Sequence, residues 1–283
     1  MKGKRIIFVV SLIFCVVLIG CSKSSMSTDK TNDQGKTGSD QIEAPKTDNQ
    51  IIKYDDLNSD GIQDKIILTL EDSYHNKYAL QVNDLIIDTL GDNIEPNFNI
   101  IDIDASDKYK EIAVSEYGPS SDDATTFYFF NGKEIIPMGK IGGFFGIYYS
   151  YGNDAMGEMK INGSGEISTR TRGKILQTWF YQDEFRLSDK HLLLNVPKDL
   201  YKMNTEVEVI KEISLQKSRN DTAAVLSLKP GEKATIVSSD NRTWCLVRND
   251  EGETGWFAVV GYDTIKNIGL SASEVFNGLC HAD

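Results

Sequence analysis

The chain has 283 residues, with 30 Lys plus Arg against 42 Asp plus Glu, a formal net charge of −12. That excess of negative charge argues against binding nucleic acid, or an anionic lipid surface, by bulk electrostatics. Three histidines and four cysteines, with no His/Cys cluster at zinc spacing, argue against a zinc module as well.

Reading from the N-terminus, Lys2, Lys4 and Arg5 precede an apolar run, Ile6 to Ile19, broken only by Ser11. A permanent membrane helix needs ~20 residues to cross a bilayer core of ~30 Å, so this run is short for that role. It has the length of the apolar region of an export signal. The run ends in Leu18-Ile19-Gly20-Cys21, which resembles the lipobox of bacterial lipoproteins. The resemblance implies cleavage before Cys21 and a diacylglycerol on its thiol, with the chain held on the extracytoplasmic face of a cell membrane. Loss of residues 1–20 would leave 27 Lys plus Arg against 42 Asp plus Glu, a net charge of −15. From Ser22 to about Gln50 almost nothing is apolar. Such a segment buries too little surface to offset its ordering entropy and is expected to be a disordered tether, with a mean reach of about 30 Å.

The sharpest motif is Asp56-Leu57-Asn58-Ser59-Asp60-Gly61-Ile62-Gln63-Asp64. Calcium takes six to eight oxygen ligands, and Asp56, Asn58, Asp60 and Asp64, with the Ile62 carbonyl, would supply them from a tight loop. Gly61 permits the positive φ that the turn requires. An EF-hand would carry Glu at the twelfth position, where Ile67 stands, and a helix would follow. Lys65–Leu70 instead reads as a strand. A loop of this kind feeding a strand is similar to the FG-GAP/VCBS-type repeats of β-propeller proteins, in which the metal has a structural role. A degenerate copy, weaker as a metal loop, holds Asp102, Asp104, Asp107 and Glu111, with Lys108 and Lys110 among them. Asp56 and Asp102 are 46 residues apart, within the period of propeller blades. The alternative for both loops is a turn whose Asp and Asn side chains cap backbone amides.

Beyond the loops, Tyr78–Val82 and Leu85–Leu90 flank Asn83-Asp84, and Thr125–Phe130 and Glu134–Met138 flank Asn131-Gly132-Lys133, two hairpin signals. Further strand-like runs are Ile175–Tyr181, before a turn at Gln182-Asp183-Glu184, and His191–Val196. No third acidic loop is legible, and Asn162-Gly163-Ser164-Gly165 reads only as a turn.

Near the C-terminus, Lys229-Pro230-Gly231-Glu232, Trp244-Cys245-Leu246-Val247-Arg248 and Gly252-Glu253-Thr254-Gly255-Trp256-Phe257 follow one another. Together they resemble a bacterial SH3-like domain. Val225, Leu228, Ala234, Ile236, Leu246, Val247 and Phe257 would supply the inner face of its small barrel. Trp244 and Trp256 are either core or, with Tyr262, an aromatic groove for peptide or sugar. The resemblance implies peptidoglycan as a ligand. In the tail, Val275, Phe276 and Leu279 stand at near-helical spacing.

The expected fold is mainly β, a propeller-like repeat domain of short antiparallel strands followed by a small SH3-like barrel. The expected boundaries are signal peptide 1–20, lipid anchor and disordered linker 21–50, repeat domain 51–204, barrel 205–268 and tail 269–283. No Gly-x-Ser-x-Gly, His-Glu-x-x-His or phosphate-cradling glycine loop is present. Spacing leaves open whether Cys245 and Cys280 pair. The expectation is a non-catalytic envelope lipoprotein with Ca2+ in a structural role and no nucleic-acid partner. It would bind peptidoglycan or surface proteins through the barrel. The alternatives are a calcium-dependent adhesion protein acting through the repeats, and a cell-wall-modifying enzyme or its activator.

Overall fold

A computed structural model describes residues 49–283, except 72–73, 120–121, 146–158 and 282–283. Cys21 and the tether to residue 48 lie outside the described residues. The compact unit Lys46–Asp283 is nearly all β.

Three four-stranded antiparallel meanders come first. Sheet one is β1 (Gln50–Asp55), β2 (Asp64–Leu70), β3 (Lys77–Val82) and β4 (Leu85–Leu90). Sheet two is β5 (Asn99–Ile101), β6 (Glu111–Glu116), β7 (Ala124–Phe130) and β8 (Ile135–Gly142). Sheet three is β9 (Lys160–Ile161), β10 (Glu166–Arg172), β11 (Phe180–Leu187) and β12 (Leu193–Asn195). Asn83, at φ 54°, and Gly132, at φ 88°, make the β3–β4 and β7–β8 turns, conformations that Asn and Gly adopt at low cost.

Sheet two is covered on both faces. Alternation sends Ile112, Val114, Tyr128 and Phe130 into a core shared with Leu68 and Leu80 of sheet one. It sends Ala113, Phe127 and Phe129 into a second core with Ile167 of sheet three. This explains why β6 is buried at every position, its polar Glu111, Ser115 and Glu116 included. Among the described residues no core cluster joins sheet one to sheet three.

A larger sheet then closes a barrel from β13 (Tyr201–Val209), β14 (Ile213–Gln216), β15 (Ala224–Leu228), β16 (Lys233–Ser239), β17 (Trp244–Asn249) and β18 (Thr254–Val260). The short β19 (Thr264–Ile265), β20 (Leu270–Ser271) and β21 (Phe276–Asn277) complete it. Its first strand begins at Tyr201, ahead of the sequence boundary at 205. The tail holds a single 3-10 turn, Ala272–Glu274, after which β21 pairs with β13. The near-helical spacing of Val275 and Phe276 instead places both in the barrel core.

Two expectations fail for the same reason, the strict period of two along a strand. Cys245 and Val247 occupy the inner positions of β17, so Leu246 faces outward, half-buried. Val225 is exposed, beside an irregularity in the β14–β15 register. In sheet three, Gln182-Asp183-Glu184 is no turn but lies within β11, paired with Ser168–Arg170.

The run Ile175–Trp179 is no strand either. It is the β10–β11 connection, and it plugs the barrel. Ile175 and Leu176 belong to the barrel core beside Val209, Ile265 and Phe276. The Leu176 amide donates to the Tyr262 carbonyl at 2.6 Å, and the Thr178 amide to the Cys280 carbonyl at 2.7 Å. The buried Gln177 accepts from the Cys280 amide at 3.0 Å and donates to Thr205 Oγ1. The Trp179 indole closes the loop on the Ile175 carbonyl at 3.0 Å. Gly173 is required beneath that indole, since a Cβ there would fall within its ring. Leu176 is fully buried at φ 77°, a left-handed backbone that costs a non-glycine residue roughly 1–2 kcal/mol and persists where the surroundings over-determine it.

Leu176→Ala leaves that strain and removes the plug's apolar volume. Urea unfolding followed by intrinsic fluorescence is expected to show a loss of ~2–5 kcal/mol.

Candidate functional site

The outer face of the barrel is built by β17 and β18. Trp244 stands opposite Ala258 and Leu246 opposite Trp256, so period two puts both tryptophans and Leu246 on one face, away from the core. Trp244 and Trp256 are half-buried and absent from the barrel's core cluster. The Arg219 guanidinium lies over the Trp256 ring, 5.3 Å from its centroid, a cation–π geometry. Tyr262 is not drawn into this group. Its exposed ring meets His281 with centroids 6.3 Å apart, and its carbonyl holds the plug.

Arg219 also belongs to a cleft of about 740 Å³ between the barrel and the meanders. Its walls come from β8, β11, the 195–201 connection, the β14–β15 loop at Arg219 and the β16–β17 turn at Asp240–Arg242. One network braces the floor. Asn241, buried at φ 59°, accepts from the Lys174 amide at 2.6 Å and donates to the Tyr181 hydroxyl at 3.2 Å. Tyr181 packs on Tyr201 with centroids 4.2 Å apart. Burial raises the Tyr181 hydroxyl well above its usual range, as does the charge of Asp183 beside it. Asp240 Oδ1 accepts the amides of Arg242, Thr243 and Trp244 at 2.8–2.9 Å, fixing the turn that leads into Trp244.

The acidic loops are related residue by residue. Asp64 Oδ2 accepts the Leu57 amide at 3.1 Å, and Glu111 Oε2 accepts the Ile103 amide at 3.0 Å. Leu57 and Ile103 are both fully buried. Each loop then leans on the next. The Leu57 carbonyl accepts from the Lys110 amide at 2.9 Å, and the Ile103 carbonyl from the Gly165 amide at 2.7 Å. Asn162-Gly163-Ser164-Gly165 is therefore the third member of the series. It was not legible as such because it carries no acidic residues.

Within the first loop the side-chain oxygens face the loop's own amides. Asp56 accepts from Asp60 and Gly61 at 3.1 and 2.9 Å, Asn58 from Asp60 at 3.0 Å, and Asp60 from Ile62 at 2.9 Å. Ile62 itself is exposed. In the second loop Asp104 accepts the hydroxyl and amide of Ser106, which hold its carboxyl below the usual range. Asp107 accepts the Tyr109 amide at 2.7 Å, and Asp102 is exposed. Among the described residues no three His, Cys, Asp or Glu side chains converge to hold a metal ion. These bonds cap backbone amides of both turns with carboxylate and amide oxygens.

Glu111 is fully buried, and among the described residues its Oε1 has no hydrogen-bond partner. Burial, reinforced by Asp107 and Asp102, raises its carboxyl to about 7 from 4.5. The folded chain therefore holds a proton that the unfolded chain releases first. That contribution is complete below pH 4.5 and is lost as pH rises to 7, a change of about 3 kcal/mol. In chelator, stability is expected to fall across this window, and Glu111→Gln to flatten the fall; urea midpoints at each pH measure it. Cys245 and Cys280 are unpaired, the first buried and the second exposed. Burial pushes the Cys245 thiol up to about 12. An aromatic disulfide reagent is expected to label Cys280 in the folded protein and Cys245 only after unfolding.

Comparison with protein families matches the SH3 domain model to residues 221–258. No curated protein and no solved structure matches the chain. The match covers β15 to most of β18, including both tryptophans and the Asp240 turn. The C-terminal module is an SH3-like domain, the described residues around it are nearly all β, and a protein-interaction role is what that module supports.

Proposed function

We propose that this chain is a lipid-anchored envelope protein, attached through Cys21, that binds cell-wall or surface ligands with the outer face of its SH3-like barrel. The observation that carries this reading is the alignment of Trp244, Leu246 and Trp256 on one solvent-facing side of a domain matched as SH3. Aromatic side chains that are half-exposed rather than core offer large contact area with a polar handle, as binding surfaces use them. The lipid anchor and the tether rest on the order of charged start, apolar run and Leu18-Ile19-Gly20-Cys21. On this reading the three meanders are blade-type repeats that carry the barrel, and the chain is not an enzyme. Calcium enters as a staple of Asp56–Asp64, supported by residue spacing alone.

Sedimentation of residues 22–283 with purified peptidoglycan sacculi, in calcium and in chelator, tests the reading. Saturable binding is expected, weakened at least tenfold by Trp256→Ala, whose melting curve should stay close to the parent because Trp256 lies outside the core. Asp60→Ala is expected to lower the melting temperature in calcium while leaving sacculus binding in place. Absence of binding in both conditions would move the search to protein partners of the repeats. Binding that survives Trp256→Ala would move it off this face.

A further inference from the structure

We propose that the cleft between sheet three and the barrel is a binding site for a short zwitterionic peptide, adjoining the Trp244–Trp256 face at Arg219. This goes beyond the wall-binding reading and does not depend on it. The chain is strongly acidic overall, yet five cationic side chains line this one cleft: Lys140, Lys174, Lys198, Arg219 and Arg242. Three of them are engaged by Glu116, Glu184 and Asp199. Lys174 and Arg242 make no ion pair among the described residues. Both are exposed, which leaves two cations on one opening to meet a carboxylate.

Carboxylates decide which anion the cleft suits. Asp183, Asp199 and Asp240 line the same space and would repel a dense polyanion. Asp240 accepts the amides of its turn through Oδ1, and among the described residues no hydrogen bond engages Oδ2, which can take an ammonium. A ligand with separated charges of both signs satisfies this lining, and the Tyr181, Phe185 and Tyr201 side chains offer apolar surface to the chain between them. The volume of about 740 Å³ falls in the range of small-ligand sites. The Asn241 network holds the floor through hydrogen bonds already made, so binding requires no rearrangement there.

Isothermal titration of the full chain, purified in detergent, with the tripeptide Ala-Ala-Ala bearing free termini tests this site. Saturable binding is expected. Amidating its C-terminus or acetylating its N-terminus should each weaken binding at least tenfold. The double variant Lys174→Ala/Arg242→Ala should do the same, while its melting curve and its sacculus binding match the parent. No saturable binding of the free tripeptide would overturn the proposal. So would equal affinity of the double variant, or displacement of the tripeptide by inorganic phosphate at similar concentration, which would reduce the cleft to a patch of unselective positive charge. Loss of sacculus binding in Trp256→Ala with tripeptide binding intact would keep the two sites apart.

Discussion

Leu176 buried inside the barrel is the contact on which the rest of the arrangement depends. It belongs to a loop of sheet three but sits among the side chains of another fold, in a backbone conformation that a leucine does not adopt unsupported. Support comes from segments that all follow it in the sequence. The Tyr262 carbonyl and the Cys280 backbone hold the loop from the C-terminal end, Gln177 reaches Thr205 on β13, and Asn241 receives the Lys174 amide. A barrel of this size has a small core, and here part of that core is supplied by the preceding domain. The barrel is therefore fixed to sheet three through its own interior rather than through surface contacts.

That attachment has a consequence for binding. Arg219 and the Asp240–Arg242 turn belong to the barrel, whereas Lys174, Tyr181 and Asp183 belong to sheet three. Their positions are fixed relative to one another because the plug and the Tyr181–Tyr201 packing lie directly beneath them. Sheet two serves the same end earlier in the chain. Its two apolar faces tie sheet one to sheet three, and the acidic loops tie the ends of the meanders, each loop's carbonyl accepting an amide of the next.

Much of this was legible where turn chemistry is local. Asn83 and Asn131-Gly132 announced two hairpins because those residues adopt positive φ at low cost, and the all-β fold with a C-terminal SH3-like module followed from the same signals. The Asp56 and Asp102 loops were legible as a related pair because acidic side chains mark them, and their likeness extends to the Asp64 and Glu111 hydrogen bonds. Asn162–Gly165 does the same job with glycines and a backbone amide, which leaves no side-chain signature. Ile175–Tyr181 misled because an apolar run buried by a neighbouring domain looks like a strand buried in its own sheet. The cleft could not be read at all, since its lining is gathered from segments as far apart as Lys140 and Arg242.

The plug makes the meanders and the barrel one cooperative structure. Differential scanning calorimetry of residues 22–283 tests it most directly. One transition, with calorimetric and van't Hoff enthalpies equal, is the predicted result. Two separable transitions, with the barrel unfolding independently of the meanders, would contradict it.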